Sequence, residues 1–344
     1  MQHLWPRESL DIWMQNAGAD LSWHGETSIP ITHARPIRSS DTSYITSLRS
    51  GWFDYAAHEM GNRKFTAYGI RLAGQVARRL GLDQLVLVGN FPISTNTWPD
   101  TTHAALLTAC WDTLRTHPAQ FIGIRNLLPD RHASLINIFR TKGFHALPAR
   151  LVYEFDLRQG LIAKPSHLMR DRSALSKSSL QIQIGNDITN AEASRIRELY
   201  QEIYIKKHSL LNAQYTTQFF SDMVQAQVMQ ALLLKNKEGH IVAFALLYQQ
   251  GDTLTVPALG YDMHIGVDGL YRLLFAAIHQ YTEAQKLLLN YSSGAGDFKR
   301  KRGGTPRMEY TLLHAPSPWK QKVLAWLENK ARSIQIEQLI KLGA

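Results

Sequence analysis

The sequence predicts an α+β protein built as mixed sheets flanked by helices, two of them in tandem. Three observations carry this. The chain has 344 residues, beyond the size at which a single core stops growing. Its apolar content of 44% is enough for packed cores along its whole length. Strand-length apolar runs alternate with stretches of helical period in two successive series, joined by a Pro-, Ser- and cation-rich connection at 158–179. The expected division is an N-terminal domain over 1–165, a C-terminal domain over 166–318, and an amphipathic helix over 319–344.

In the first series, Ile29 to Ile37 carries two prolines and reads as extended, and Ser39-Ser40-Asp41 is a helix-cap pattern. The segment Ser50 to Met60 is dense in aromatics, and Trp52 within it is a candidate for lining a substrate pocket beside the alternative of core packing. Ile70, Ala73, Val76, Ala77 and Leu80 recur at helical spacing up to Gly81, and Leu85 to Val88 follows as a buried strand. The loop after it, Gly89 to Thr95, puts Asn90 at a strand end, a second candidate substrate contact. A helix over His103–Arg115, a strand over Phe121–Arg125, a short helix over Ala133–Lys142 and a strand over Arg150–Leu157 complete the half.

The second series opens with Leu180, Ile182 and Ile184 alternating with glutamines, the period-two pattern of a half-exposed strand. Asn190 caps a helix striped by Ile196, Leu199, Tyr200 and Ile203, and a second helix starts at Thr216. Strands over Met229–Lys235, Ile241–Tyr248 and Thr253–Leu259 are separated by turns at Glu238-Gly239 and Gly251-Asp252. An amphipathic helix from Leu270 then leads to Leu287, where a buried strand ends in Asn290 to Ser293. Gly294-Ala295-Gly296 follows, then Asp297 to Arg302 with one carboxylate and four cations, and a last strand over Met308–Leu313. The final segment, Trp319 to Leu342, reads as a basic amphipathic helix that could dock on the body of the protein, its default place, pair with another subunit or touch a membrane surface.

The stretch SGAGDFKRKRGGTP with its closing strand resembles the last motif of the FemAB-like and BioF2-like acyltransferases, a branch of the GNAT superfamily. The order of elements extends the likeness over 180–313, and Arg140-Thr141-Lys142-Gly143-Phe144 holds the corresponding place in the first half, a faint internal duplication. The resemblance implies a tandem GNAT fold in which two parallel strands, here Thr253 to Leu259 and Leu287 to Tyr291, splay apart to admit an acyl donor. The next helix would aim its N-terminus at the donor's phosphates, with Gly266 and Gly269 in the approach loop and Lys299 and Arg302 as further anion-holding groups. That loop carries Asp268 and a Gly-x-x-Gly spacing instead of the usual GNAT signature, so acyl-CoA, acyl carrier protein and aminoacyl-tRNA all stay open as donors.

The implied reaction is attack by a small-molecule amine on a thioester or ester carbonyl. It needs a proton acceptor and an oxyanion donor such as a strand N–H. Asp297, His208 and Tyr261 are the candidates for proton transfer, and Tyr204, Tyr291 and Ser292 for orienting the acceptor.

Two other classes compete. Asn290 to Gly294 has the outline of a nucleophile elbow, but too little chain follows to supply the acid and histidine of an α/β-hydrolase. A basic module binding RNA or an acidic carrier protein fits the net charge of +10 but lacks a recognition motif. No metal-ligand spacing occurs, and a single cysteine, Cys110, lies in a helical stripe and excludes an internal disulfide framework. With no leader pattern and no apolar run of about 18 residues, a cytoplasmic protein without a membrane span is the expectation.

Overall fold

Strands and helices change over where the apolar spacing does. In a computed structural model that describes residues 12, 19–25, 29–34, 50–55, 57, 64–81, 85–89, 93–95, 98, 103–264 and 269–342, the first half contains β1 (Ala19–His24), β2 (Ile29–Ala34), a π-helical segment (Ser50–Tyr55), α1 (Lys64–Arg79), β3 (Leu85–Val88), α2 (His103–Thr116), β4 (Phe121–Leu127), α3 (Pro129–Thr141) and β5 (His145–Asp156). Next come α4 (Ser166–Lys177), β6 (Gln181–Gly185), α5 (Asn190–Tyr200), a second π-helical segment (Gln201–His208), α6 (Thr217–Gln225), β7 (Gln230–Lys235), β8 (Ile241–Gln250) and β9 (Thr253–Tyr261). The chain closes with α7 (Leu270–Ala284), β10 (Leu288–Asn290), α8 (Gly296–Arg300), β11 (Thr305–His314) and α9 (Pro318–Leu342). The expected cap at Ser39 to Asp41 lies outside the described residues.

Two compact units result. One comprises Met1–Arg150, Ser209–Ala213 and Met308–Ala344, the other Leu151–His208 and Gln214–Arg307. In the first, β1 and β2 pair antiparallel, β2 pairs antiparallel with β3, β3 runs parallel to β4, and the C-terminal part of β11 pairs antiparallel with β4. Val86, Val88, Leu106, Cys110, Ile122, Ile124 and Phe139 form one core, and Ala77, Leu85, Leu87, Phe121, Leu313 and Leu324 another. Cys110 is a fully buried part of that packing. Leu324 belongs to α9, which therefore docks on this unit as its default predicted. Glu328 secures it by pairing with Arg140 and His145. The inward residue is Leu324, not Trp326, because the indole is on the far side of the helix.

In the second unit β6, β7, β8 and β9 form an antiparallel meander, β9 runs parallel to β10, and β10 pairs antiparallel with the end of β5. One sheet face packs on α7 and α4 through Phe155, Leu168, Leu254, Leu274, Phe275 and Leu289. Against the other face stand Tyr200, Tyr215, Phe219 and Phe220, with Phe244 edge-on to Phe220. At about 2 kcal/mol per buried aromatic or leucine, these clusters outweigh the weak helix preference of the segments that form them.

Two expectations are corrected. The connection at 158–179 is largely the helix α4, with Leu168, Leu175 and Asp171 buried. Its sparse apolar spacing hid it, because the buried carboxylate of Asp171 depends on a partner far along the chain. The stretch Tyr204 to His208, expected as a loop between two helices, instead belongs to the π-helical turn that stacks Tyr204 on Tyr200 at 4.6 Å.

Candidate active site

In the second unit, β9 and β10 part company. Their register runs Leu288 to Thr253, Leu289 to Leu254 and Asn290 to Thr255, and stops there, while β9 continues to Tyr261. The cause lies in β9 itself. Tyr248 pairs with Thr255 and Leu246 with Ala258, so Val256 and Pro257 stand opposite Leu247 alone. Such a bulge bends and twists its strand, and Pro257 has no N–H to offer a neighbour. Beyond β10 the chain stays with β5: Tyr291 N–H donates to Tyr153 O at 2.9 Å and Tyr153 N–H to Ser292 O at 3.1 Å. β9 meanwhile stays with β8, where Asp262 N–H donates to Val242 O. Amide direction alternates along a strand, so the N–H groups of Leu259 and Tyr261 point to the edge that β10 has left.

Four tyrosines gather at this opening. Tyr261 ends β9, Tyr271 sits in the first turn of α7, Tyr291 follows β10, and Tyr204 comes from the π-helical turn. Tyr261 and Tyr271 rings are 5.8 Å apart, and Tyr291 meets Phe275 edge-on at 5.1 Å. Tyr291 is 4% exposed, and the polar group its buried hydroxyl meets is the hydroxyl of Tyr271. Burial, then the nearby Tyr271 and Tyr204 hydroxyls, pushes its pKa well above that of an ordinary phenol. Burial likewise pushes Tyr271 up to about 12. Both are neutral donors at pH 7. At the rim, Lys207 Nζ donates to the Tyr261 hydroxyl at 3.4 Å.

The glycine- and cation-rich motif builds the wall beside Tyr291. Gly296 is required because a Cβ there would run into the Tyr153 hydroxyl, and Gly304 because a Cβ would lie 2.8 Å from Phe155 and 3.0 Å from Lys299 O. Lys299, expected among the phosphate-holding groups, is instead 2% exposed, its ammonium donating to the carbonyls of Tyr291 at 2.7 Å, Ser292 at 3.2 Å and Ser293 at 2.8 Å. A buried cation is tolerated only when its protons are satisfied, and these carbonyls satisfy them. It also lies over the Tyr291 ring at 4.9 Å. Arg302 is committed too: it pairs with buried Asp171, donates to Phe298 O at 3.0 Å and stacks on the Phe298 ring at 3.4 Å. The charge run thus faces inward at these two positions, where a solvated or phosphate-facing role was the expectation.

The remaining candidates are dispersed. Asp297 has a side chain 80% exposed and pairs with Arg300. His208 is exposed at the end of the π-helical turn. Ser292 adopts φ 58° and donates its N–H to Asn290 Oδ1 at 3.0 Å, a turn-holding role. Gly269 caps α7 at φ 79°, with Arg272 next to it on the first turn. Trp52 packs against the core of the other unit. Gly266 and Asn90 lie outside the described residues.

Sequence reasoning missed Tyr271, Lys207, Arg272 and a polar row across the sheet face opposite α7. The register aligns Glu154, Asn290, Thr255 and Tyr248 on four neighbouring strands, all buried. Arg307 stands 3.7 Å from Glu154. The row crosses the sheet at the last β9–β10 pair, the floor of the opening. Polar residues within otherwise apolar strands were the available signal, but register alone brings them together.

The first unit has a comparable pair of parallel strands, β3 and β4, whose register ends at Leu87 to Gly123. There the chain fills its own opening: Trp98 donates its indole N–H to Arg125 O at 2.8 Å, and Asn126 and Arg150 both bind Ser94 O. Among the described residues no cluster of histidine, cysteine and carboxylate side chains is fit to hold a metal ion, and no helix is long and apolar enough to cross a membrane.

No curated protein matches the chain by sequence. Among solved structures, L-PGS from Bacillus licheniformis superposes with a TM-score of 0.57 at 11% identity, covering 94% of this chain and 97% of that one. The C-terminal domain of a putative lysylphosphatidylglycerol synthetase from Agrobacterium fabrum gives 0.55 at 11% identity, covering 93% and 90%. These likenesses establish the fold. The profile of the FemAB-like family, described as peptidoglycan biosynthesis/recognition, matches residues 157–341, more than half of the chain. That span contains the diverging strands, the tyrosines and the Lys299 turn, and by it the chain belongs to the FemAB-like family of transferases.

Proposed function

We propose that the protein moves an acyl or aminoacyl group from an activated ester or thioester to the amine of a small acceptor, with the reacting carbonyl held between β9 and β10. The observation that carries this reading is the divergence after Thr255 and Asn290, which leaves strand N–H groups facing an opening beside two buried phenols, Tyr291 and Tyr271. In this scheme the amine lone pair attacks the carbonyl carbon, and the oxyanion accepts from the N–H of Leu259 or Tyr261. As the carbon–oxygen or carbon–sulfur bond breaks, Tyr291 or Tyr271, kept protonated by burial, donates to the departing atom. Glu154, at the end of the polar row, is the carboxylate assigned to take the first proton from the acceptor's ammonium group, with the exposed Asp297 as the alternative proton acceptor; the second N–H proton, lost as the amide forms, restores the tyrosine that protonated the leaving atom.

The donor's phosphates are assigned to the N-terminus of α7, where Gly269 opens the helix and Arg272 adds a cation. Acyl-CoA, acyl carrier protein and aminoacyl-tRNA share that chemistry. The net charge of +10 suits any of these polyanionic donors. The test incubates the purified protein with acyl-CoAs, acylated carrier protein and charged tRNA, and follows donor loss and acceptor labelling by mass spectrometry. Turnover of one donor class is the expected result. Silence with all three, together with RNA binding that falls steeply with salt, would favour a basic binding module instead.

A further inference from the structure

We propose that the first unit docks on an anionic lipid surface through the outer faces of α1 and α9. Both helices pack inward on one core, α1 through Ala77 and α9 through Leu324. Each carries large apolar side chains on its outward face. Tyr68, Leu72 and Val76, four residues apart on α1, are 70%, 58% and 51% exposed, and Trp319 and Trp326, seven apart on α9, are 53% and 58% exposed. Residues at these spacings share one side of a helix, so the three on α1 form a stripe, while on α9 the two indoles flank Lys322.

Charge decides the occupant. α1 carries Arg71, Arg78 and Arg79 and no acidic residue. Along the described part of α9, the residues exposed with the two tryptophans are Pro318, Lys322, Asn329 and Lys330, while Glu328 is turned inward to Arg140 and His145. Apolar side chains flanked by cations, with indoles among them, are what an interface between anionic headgroups and acyl chains accommodates: the rings and aliphatic groups enter the boundary and the cations stay with the phosphates. A second copy of the chain would bring like charge against like charge on this face.

The experiment sediments the full-length protein with vesicles of phosphatidylcholine alone and of phosphatidylcholine with roughly one-third phosphatidylglycerol, at low and high salt. Association with the anionic vesicles only, weakened by salt, is expected. Leu72→Gln with Val76→Gln, and separately Trp319→Ser with Trp326→Ser, are each expected to lower the vesicle-bound fraction at least about fivefold with the melting temperature unchanged, since the altered side chains face solvent. Equal sedimentation with neutral vesicles, none with either, or unchanged binding by both double variants would overturn the proposal. So would a concentration-dependent dimer, seen by light scattering, that the same variants dissociate. Catalytic activity does not enter the readout, so the result stands apart from the transferase test.

Discussion

Tyr291 is the side chain on which the proposed chemistry turns, and its environment makes it testable. Its hydroxyl is buried against a second phenol, Tyr271, which leaves much of its hydrogen-bonding capacity unused, and burying a poorly satisfied polar group costs about 1–3 kcal/mol. Tyr291→Phe is therefore expected to leave the melting temperature level or slightly raised while lowering kcat/KM at least tenfold, about 1.4 kcal/mol of barrier. A lower melting temperature with unchanged turnover would make the phenol a structural group. Lys299 is the opposite case. Lys299→Met strips its donors from the carbonyls of Tyr291, Ser292 and Ser293, and a loss of roughly 2–4 kcal/mol in urea denaturation is expected. His279, enclosed between Phe155 and Phe275, adds an acid-sensitive element. Burial first, then Arg172, holds its pKa down at about 4. The unfolded chain therefore binds this proton more readily, and the stability His279 contributes is lost as pH falls from about 6.5 through 4, up to roughly 3 kcal/mol. Urea midpoints measured at neutral and acid pH should converge in His279→Gln; an unchanged acid response in that variant would remove His279 as the cause.

The bulged strand β9 does for the backbone what Tyr291 does for a side chain: it leaves polar groups available where a sheet would pair them. Its far end is held by α5, with Arg195 paired to Asp262 and Gly260 set directly under Leu199. A Cβ at Gly260 would stand 2.8 Å from the Leu199 backbone and 2.6 Å from Phe244. Neither the helix backbone nor the Phe244 packing yields cheaply, so Gly260→Ala is expected to cost about 2–3 kcal/mol and to disturb the opening. A variant with wild-type stability would mean that α5 and β9 are less closely apposed. The motif after β10 works with β9, since the turn from Gly294 to Gly304 keeps Tyr291 and Ser292 on β5 while β9 bends away.

The two compact units draw on stretches distant in sequence, and α9 shows how. Although it follows the family-matched span's last strand, it packs on the unit that contains residues 1–150. Glu328 receives Arg140, His145 and Arg332 with its own side chain 13% exposed. Removing one partner of a largely buried ion cluster strands the others, so Glu328→Ala is expected to lower stability by about 3 kcal/mol and to speed proteolysis within α9. Equal protease resistance in the variant would assign the docking to Leu324 and Leu327 alone.

Alternating glutamine and isoleucine in β6, the spacing of Ile196, Leu199, Tyr200 and Ile203, and the turns around Gly239 and Gly251 all made elements legible, because they follow from the local period of a strand or helix. The glycine and cation motif made the family legible, since its small residues answer to close approaches that nothing larger survives. What stayed hidden was non-local. The inward turn of Lys299 and Arg302 depends on carbonyls and a carboxylate that the folded chain brings to them, and the row of Glu154, Asn290, Thr255 and Tyr248 exists only once four strands are in register. Local period is written into neighbouring residues, whereas burial of a charge and alignment of side chains across strands are set by partners that no stretch of sequence names.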